Sequence, residues 1–370
     1  MLKTLSVENF GPSSSQIKVL RPRLPVAAKL LPYLDRIDST RIYSNYGPLN
    51  AEFVQRLGEF VGGSLLTLTS SGTTAIELAL RLHRRQGIYC LMPSFTFIAS
   101  AHAVCNAGLV PYLVETDPDS LALTPEIAKA ALASIGDSVA AVLVVSAFGA
   151  PPDLAAWAKF EQENKIPVVF DAAAALTSLS GIGSQPVCVS LHATKTLGIG
   201  EGGAILCGNR DLIDRATAMT GFGFAGNERM SSMRAGNYRI SEYAAAVGLA
   251  GLDGLPARIN EMKRLTAAYA YRLEGKSVRL QRGVGIDWVT MTLNVVVPSE
   301  DVDATTQRLD DAKVEWRRWW GAGCHRHPAF KDVPASDLSA TDALSPRVIG
   351  LPFHDDLSSD DLDRVTGCLR

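Results

Sequence analysis

Short apolar runs alternate with amphipathic stretches from residue 65 to residue 207. Runs rich in Val, Ile and Leu predict seven strands, at 65–69, 88–92, 109–114, 139–145, 168–170, 187–190 and 204–207. Between them, a helical period predicts helices at 74–85, 99–106, 125–133 and 153–164. Strands that alternate with helices in this way predict an α/β fold. Its doubly wound, mostly parallel seven-stranded sheet would be covered by helices on both faces.

The first 49 residues have a different pattern, because prolines recur through them. Pro22, Pro25, Pro32 and Pro48 predict that no long element forms there. A helix is predicted to follow at 51–61, where the periodicity resumes and ends at a pair of glycines. We therefore expect an irregular N-terminal arm in front of the regular α/β pattern.

The chain after residue 211 becomes mainly helical. Amphipathic stretches at 243–252 and 257–273 flank Pro256, which predicts a break between two helices. A strand at 289–297 and helices at 302–313 and 358–369 follow, in α+β fashion. A chain of 370 residues exceeds the size at which one core stops growing. We predict a large α/β domain with its arm over 1–255 and a small α+β domain over 256–370.

Charge and composition exclude several classes of partner. With 36 basic and 38 acidic residues, the net charge of −2 gives no basic excess for nucleic acid or an anionic membrane. Six scattered cysteines form no C-x-x-C pair, which favours a reduced, cytoplasmic protein. Residues 1–11 hold no apolar segment of a secretory signal, and the longest apolar run, 139–145, is too short to span a bilayer.

Chemistry-bearing residues follow several of the predicted strands. Ligands of open parallel sheets bind at the carboxyl ends of the strands. Lys195 follows the strand at 187–190, and a lysine deprived of hydration can lose its proton and form a Schiff base. The alternative is a solvated loop lysine. The groups that follow the other strands must decide between the two interpretations.

Three of those groups fit one cofactor. The segment Ser70-Ser71-Gly72-Thr73-Thr74 follows a strand and opens into a helix, where exposed N–H groups can bind phosphate, although a simple helix cap by Ser71 or Thr73 is the alternative. An aromatic residue of the segment 93–97 could stack on a flat ligand, although the core is its default place, and Asp171 ends a strand where a carboxylate needs a cationic partner. Together with Lys195, these groups predict a site for pyridoxal 5'-phosphate.

Competing motifs are less specific. Two segments, 198–203 and 221–226, match G-x-G-x-x-G, but neither follows a strand and opens a helix as a dinucleotide site requires. The run Cys324-His325-Arg326-His327 suggests a metal, but its spacing matches no common zinc site, and we predict none.

The ordered motifs resemble those of the DegT/DnrJ/EryC1/StrS family of fold-type-I, pyridoxal-phosphate-dependent sugar aminotransferases. The resemblance extends from about residue 43 to the C-terminus. It rests on a set of short segments in the family's order: Ser71-Gly72-Thr73-Thr74, Pro93-Ser94-Phe95-Thr96-Phe97, Asp171-Ala172-Ala173, Ser190-Leu191-His192-Ala193-Thr194-Lys195, Gly200-Glu201-Gly202-Gly203, Gly236-Asn237-Tyr238-Arg239 and Leu351-Pro352-Phe353-His354.

The resemblance implies a role for each matching residue. Lys195 would bind the cofactor covalently and move the proton, Asp171 would pair with the ring nitrogen, and Phe97 would stack on the ring. The residues near the phosphate would be Gly72, Thr73, Thr74, Ser190 and, from a partner subunit, Asn237. The resemblance therefore also implies a homodimer with shared active sites.

One position departs from the family. Three residues after the acid, the family commonly has Gln or His beside the cofactor's phenolic oxygen, whereas this chain has Ala174. A branch of the family that replaces the lysine with histidine dehydrates sugars, and Lys195 argues against that branch.

Two further segments are candidates for substrate binding. A dense polar and aromatic segment near the C-terminal domain could pack as a loop or reach the crevice, where arginine suits phosphate and tryptophan suits sugar faces. A Gly-Pro turn could likewise present the residues before it to the pocket. The candidates in these two segments are Tyr43, Asn45, Tyr46, Arg318, Trp319, His325 and His327, and His192 and Arg239 are further candidates outside them.

The predicted function is a cytoplasmic, homodimeric aminotransferase. It would move an amino group from L-glutamate to a nucleotide-linked keto-sugar, a (d)TDP-4-keto-6-deoxyhexose, giving an amino sugar for surface polysaccharide or glycoside biosynthesis. The alternatives are an aminotransferase acting on a 3-keto or non-nucleotide keto sugar, and a non-catalytic cofactor-binding regulator.

Overall fold

The computed structural model describes residues 16–224 and 229–370. The segment predicted to lack a secretory signal, 1–11, lies outside the described residues. Ala225 and Gly226, the end of the second glycine motif, lie outside them too.

All seven predicted strands are present, with each end within one residue of its predicted position. They form one sheet in the order β1-β7-β6-β5-β4-β2-β3, in which β7 alone runs antiparallel to its neighbours. The strands are β1 (Leu65–Thr69), β2 (Tyr89–Pro93), β3 (Val110–Val114), β4 (Val139–Val145), β5 (Val168–Asp171), β6 (Val187–Ser190) and β7 (Gly203–Cys207). The predicted α/β class with a mostly parallel seven-stranded sheet is confirmed.

Alternate residues of each strand enter two separate hydrophobic cores. In β4, for example, Val142 and Val144 belong to one core, and Leu143 belongs to the other. Successive side chains of a strand point to opposite faces, so the sheet is covered on both. Helices α3 (Gly72–Leu82), α4 (Ile98–Asn106) and α7 (Arg210–Thr220) pack on one face. Helices α2 (Pro48–Phe60), α5 (Pro125–Ile135), α6 (Leu154–Asn164) and the first half of α8 (Glu242–Leu273) pack on the other.

The helices that cover the sheet follow local start signals. Side-chain oxygens of Ser71, Thr124, Asp153 and Asn209 accept backbone N–H groups at the first turns of four of them. The helices of this region are α3 (Gly72–Leu82), α4 (Ile98–Asn106), α5 (Pro125–Ile135), α6 (Leu154–Asn164) and α7 (Arg210–Thr220).

The prediction that the N-terminal prolines exclude a long element was wrong. Helix α1 (Ala27–Thr40) contains Pro32, and α2 (Pro48–Phe60) begins at its proline. Proline is compatible with the first helical position, because the N–H it lacks has no intrahelical acceptor there. Within α1, the buried Ile37 packs into the core beside α8, and this packing stabilises the helix despite Pro32.

The predicted break at Pro256 was also wrong. Helix α8 (Glu242–Leu273) runs through it as one element of 32 residues. Its first half packs in the core of the large sheet, and Tyr269 and Leu273 pack in the core of the small one. Because both ends are fixed by burial, tertiary contacts offset the hydrogen bond that proline cannot donate.

The remainder of the chain forms a small antiparallel sheet with short helices. Its strand order is β10-β9-β8. The elements are β8 (Arg279–Leu280), β9 (Leu293–Val296), α9 (Val302–Asp311), α10 (Ser339–Leu344), β10 (Val348–Leu351) and α11 (Ser359–Gly367). The division into domains at 255/256 stays a prediction, and it falls inside α8. None of the helices within the described ranges is long and apolar enough to cross a membrane.

Candidate active site

The sheet topology brings several strand ends to one edge. Strands β2, β4, β5 and β6 are mutually parallel, and β1 has the same direction because both β1 and β6 pair antiparallel with β7. Their carboxyl ends therefore line one edge of the sheet, where open α/β folds bind ligands.

A cradle for an anion lies between the ends of β1 and β6. The Ser71 side chain accepts the N–H of Thr74 at 3.1 Å and so caps α3. Directly after it, Gly72 lies against Ser190, since a methyl group on Gly72 would be 2.9 Å from the Ser190 Cβ. The first N–H groups of a helix have no intrahelical acceptor, and they favour negative charge. These N–H groups give the cradle the polarity to bind a phosphate group.

Lys195 lies in a tight turn between β6 and β7. Its N–H donates to the carbonyl of His192 at 2.8 Å, and Ala193 donates to Gly200 at 2.8 Å, so the turn folds back on the glycine motif. Loss of hydration lowers the pKa of the Lys195 amine, and the nearby Asp171 carboxylate partly opposes that shift. A lysine in this state supplies a neutral amine more readily than a solvated one.

Asp171 ends β5 and is buried. Its two oxygens accept hydrogen bonds from the Ser100 hydroxyl at 2.6 Å and from the Ala173 N–H at 3.1 Å. Burial raises the pKa of this carboxyl group, and Ser100, Ala173 and Lys195 act in the opposite direction. Its partners therefore favour the ionised form that a cationic ligand needs.

Two other side chains follow strands that end at the same edge of the sheet. Phe97 is the N-cap residue of α4, and its side chain is exposed although it is aromatic. Ser146 follows β4 and donates its N–H to the Asp171 carbonyl at 2.9 Å. The Ser146 hydroxyl is buried and has no hydrogen-bond partner among the described residues. An exposed ring and an unpaired buried hydroxyl are both suited to contact a bound aromatic ligand.

His192 is fixed by its own loop. Its Nδ1 is 2.8 Å from the Thr194 hydroxyl, and its Nε2 is 3.6 Å from a carboxylate oxygen of Glu201. The imidazole thus links the two sides of the turn that carries Lys195. Its predicted contact with substrate stays a prediction.

The polar and aromatic segment after β9 contacts the same edge of the sheet. His325 lies 2.7 Å from the Ser94 hydroxyl, just past β2, and 2.9 Å from a carboxylate oxygen of Asp342. Trp320 stacks on Phe148, beyond β4, with ring centroids 4.0 Å apart. Both contacts attach this segment to the large sheet.

Arg318 and Trp319 are engaged in packing within that segment. Arg318 donates to the carbonyl of Pro346 at 3.0 Å, and its guanidinium lies 5.0 Å from the centre of the Trp316 ring. The Trp319 indole lies directly against Gly350, and His327 is half-buried in front of Pro328. The substrate roles of Arg318, Trp319, His325 and His327 stay predictions.

The remaining candidates form an exposed group, which we call the Asn45–Arg239 cluster. Arg239 donates to the amide oxygen of Asn237 at 3.0 Å and also to that of Asn45. The Tyr46 hydroxyl lies 2.7 Å from the Thr220 hydroxyl at the end of α7. Asn45 and Tyr46 both adopt positive φ, a strained conformation that is enriched at functional sites.

Tyr43 lies next to this cluster. Its ring stacks on Tyr243 with centroids 6.2 Å apart, and its carbonyl accepts the N–H of Glu242 at 2.9 Å. Both aromatic rings are exposed. The cluster and Tyr43 therefore form a surface on which a second molecule could be held.

Sequence reasoning missed several residues of the site. It did not assign Ser100, Thr96, Ser146 or the buried Glu242. Thr96 and Ser100 lie on either side of the start of α4, which follows the carboxyl end of β2, and polar residues at that position could have indicated them. Ser146 and Glu242 have no comparable local signal. No group of three or more His, Cys, Asp or Glu side chains in 16–224 or 229–370 is placed to hold a metal.

These groups together fit pyridoxal 5'-phosphate. The Gly72–Ser190 cradle suits its phosphate, the buried Asp171 suits its ring nitrogen, and the weakly hydrated Lys195 suits its aldehyde. The fold and this set of groups define the class of pyridoxal-phosphate-dependent enzymes. The profile of the DegT/DnrJ/EryC1/StrS aminotransferase family matches residues 26–370. The chain belongs to that family and is an aminotransferase.

Curated relatives extend over nearly the whole chain. The Mycobacterium tuberculosis protein Rv3402c is 29% identical, covering 99% of this chain and 92% of its own length. The dTDP-4-amino-4,6-dideoxy-D-glucose transaminase of Shigella dysenteriae is 27% identical (96% and 98% covered). The GDP-perosamine synthase of Caulobacter vibrioides is 28% identical (94% and 98%). The relatives with named reactions are sugar aminotransferases.

Solved structures share the whole architecture. A putative pyridoxal-phosphate-dependent aminotransferase from Bacillus cereus superposes with a TM-score of 0.90 at 29% identity, covering 95% of this chain and 99% of its own. DesI, solved in the presence of its TDP-sugar product, superposes with a TM-score of 0.86 at 29% identity, covering 96% and 92%.

Proposed function

We propose that this protein transfers an amino group from L-glutamate to a nucleotide-linked 4-keto-6-deoxyhexose. The observation that carries the proposal is the approach of Lys195 and Asp171 at the sheet edge that also holds the Gly72–Ser190 cradle. The relatives that act on dTDP- and GDP-linked sugars support the substrate class. The TDP-sugar product of DesI favours a thymidine nucleotide.

Each residue of the site has a defined task in this proposal. Gly72, Thr73 and Ser190 bind the phosphate of the cofactor, and Asp171 holds the proton on its ring nitrogen. Phe97 covers one face of the ring. The bound cofactor supplies an electron sink for the bonds at the substrate's amino-bearing carbon.

Lys195 has two tasks. Its amine would hold the cofactor through the aldehyde, and as a free amine it would take a proton from one carbon atom and return it to another. Both tasks require the unprotonated amine, which the low hydration of this side chain favours. In the glutamate half-reaction 2-oxoglutarate leaves, and in the second half-reaction the keto sugar receives the retained nitrogen.

The remaining partner of the phosphate comes from a second copy of the chain in this proposal. Asn237 belongs to the exposed Asn45–Arg239 cluster, and Arg239 holds its amide oxygen at 3.0 Å. With the oxygen fixed, the amide NH₂ group is available to an acceptor on another molecule. A homodimer with two shared sites follows.

The test is the visible absorption of the purified protein loaded with pyridoxal phosphate, before and after L-glutamate is added. We expect the yellow colour of the lysine-bound cofactor to bleach, with one 2-oxoglutarate released per site. Colour should return with a matching keto sugar from a panel that includes dTDP- and GDP-linked 4-keto-6-deoxyhexoses, a 3-keto isomer and a free keto sugar. Lys195→Ala should not turn over.

The outcomes separate the candidate functions. Return of colour only with the 3-keto isomer or the free sugar would replace the proposed substrate. A colour that no amino acid bleaches would point to the regulator that binds the cofactor without turnover. An unchanged rate in Lys195→Ala would contradict the assignment of the lysine.

A further inference from the structure

The carboxylate of Asp171 is held by a short chain of buried hydroxyl groups. Ser100 lies in the first turn of α4, and its hydroxyl is 2.6 Å from the Asp171 Oδ2 although the two residues are 71 positions apart. The Thr96 hydroxyl is 3.0 Å from the Ser100 oxygen. Thr96 and Ser100 are 1% and 0% exposed, so water does not compete for these bonds.

The number of available protons fixes which group donates in each of these two hydrogen bonds. An ionised carboxylate only accepts hydrogen bonds, so Ser100 must donate its single proton to Asp171. The Thr96 hydroxyl must then donate to the Ser100 oxygen. Hydrogen bonds arranged in series polarise one another, and a hydrogen bond to a charged group is stronger than one between neutral groups.

The same turn carries Phe97, which is exposed as the N-cap residue of α4. One short segment thus carries both the exposed Phe97 ring and the Ser100 hydroxyl that donates to Asp171. The helix N-terminus itself also favours the negative charge. The geometry couples the group proposed to cover the cofactor ring with the group proposed to bind its nitrogen.

We propose that Thr96 and Ser100 form a hydroxyl relay that keeps Asp171 ionised and aimed at the ring nitrogen of the cofactor. Ser100 is a positioning residue, because it acts through Asp171, and Thr96 supports it. This inference rests on the role proposed above for Asp171.

The surroundings of Asp171 determine how far its pKa is raised and which groups oppose that rise. Burial raises the pKa of Asp171, while Ser100, the Ala173 N–H and Lys195 oppose that rise. Cys188 pairs with Asp171 in the adjacent strand, and burial raises the pKa of its thiol, so it stays neutral. In the described residues the charged neighbour is therefore Lys195. When its amine is unprotonated or bound to the cofactor, the Ser100 hydroxyl becomes more important.

The experiment measures the affinity of the apoprotein for pyridoxal phosphate by equilibrium dialysis across pH. We expect Ser100→Ala to weaken binding roughly tenfold to a hundredfold, the loss expected for a hydrogen bond to a charged group. Ser100→Thr, which keeps the hydroxyl, should restore most of the affinity. Thr96→Val should weaken binding by less, roughly two- to fivefold.

The pH dependence separates positioning from simple structural damage. Binding that needs ionised Asp171 is lost as the pH falls through the pKa of that group. Ser100 lowers this pKa, so Ser100→Ala should move the midpoint of the acidic loss to higher pH. A change in packing alone would lower affinity without moving the midpoint.

Two further variants serve as controls. Thr116 is 3% exposed, and its hydroxyl has no hydrogen-bond partner in the described part of the chain, so Thr116→Val makes the same change at a position without a relay. It should leave affinity and midpoint unchanged. In an Asp171→Asn background, Ser100→Ala should cause little further loss, because the interaction it removes is already altered.

Failure of this inference is distinguishable from failure of the proposed function. If Asp171→Asn weakens cofactor binding but Ser100→Ala changes neither affinity nor midpoint, the relay is wrong and the proposed function stands. If Asp171→Asn binds the cofactor as tightly as the original protein, the proposed role of Asp171 is wrong. The melting temperature of each apoprotein shows that the variants are folded.

Discussion

At the scale of single residues, Gly72 leaves no room for a side chain. A side chain at this position would approach the Cβ of Ser190 at 2.9 Å and its Cα at 3.2 Å. Because the neighbour includes backbone of β6, the clash cannot be relieved by rotating a side chain. Gly72 therefore allows the start of α3 to lie directly against β6, independently of any positive φ.

We predict that Gly72→Ala weakens binding of pyridoxal phosphate at least roughly tenfold, because the methyl group forces the two walls of the cradle apart. Equilibrium dialysis against the apoprotein measures the change. Gly254→Ala is the matched control, since nothing lies within 4 Å of a methyl group there. It should keep the affinity and stabilise α8 by up to about 1 kcal/mol. Equal affinities in the two variants would show that the cradle is not the phosphate site.

Lys195 gives a pH prediction at the same scale. Loss of hydration lowers its pKa and Asp171 raises it, so capture of the cofactor by the apoprotein should increase with pH around a midpoint below that of a solvated lysine. Asp171→Asn removes the carboxylate that favours the ammonium form, and should shift that midpoint to lower pH. Stopped-flow absorbance measures the capture rate. A midpoint that moves upward would show that the carboxylate does not act on the lysine.

At the scale of elements, helix ends carry much of the site. The buried Glu242 carboxylate begins α8 and accepts the N–H groups of Leu49 and Asn50 at 2.8 and 2.9 Å, in the first turn of α2. Negative charge at a helix N-terminus is favourable. Its own N–H binds the Tyr43 carbonyl, so one residue joins two helices and the segment before the Asn45–Arg239 cluster.

We predict that Glu242→Ala lowers the free energy of unfolding by about 1–3 kcal/mol, because two buried N–H groups lose their acceptor. Glu59→Ala changes a carboxylate of α2 that accepts a hydrogen bond from Gln55 at 2.9 Å on the surface. Its effect should stay within about 0.5 kcal/mol. Urea unfolding of both apoproteins compares them. Similar losses would mean that the cap contributes little.

At the scale of the whole molecule, the residues proposed for the site lie in two places, the edge of the large sheet and an exposed cluster. The cradle, Asp171 and Lys195 lie at the sheet edge, whereas Asn237, Arg239 and Asn45 hold one another on the surface. Our proposal joins these parts across a homodimer. The symmetry of a dimer would give two equivalent shared sites.

Mixing of inactive subunits tests this arrangement. We expect Lys195→Ala and Asn237→Asp to be nearly inactive alone, and randomly mixed subunits to recover about a quarter of the original activity, since half of the dimers would hold one intact site. A mixture of Lys195→Ala with Asp171→Asn is the control and should stay inactive, because both residues act from the same chain. If Asn237→Asp is inactive by itself and neither mixture recovers activity, Asn237 acts in the site of its own subunit.

The pattern of hydrophobic and polar residues was enough to predict the strands of the large sheet, and it also identified Lys195 and Asp171 as candidate site residues. The seven apolar runs became seven strands because burial on both faces demands continuous hydrophobic sequence. Lys195 and Asp171 could be selected because residue type and position after a strand are local properties. Their assignment to the cofactor still depended on a resemblance to a family.

Only the tertiary structure decided the contacts that join distant parts of the chain. Ser100 reaches Asp171 across 71 positions, and His325 reaches Ser94 across 231. Pro32 and Pro256 lie inside helices because core packing offsets their local cost. The physical reason is common to all of these: a sequence specifies local preference directly, whereas a contact across many residues exists only after the elements pack.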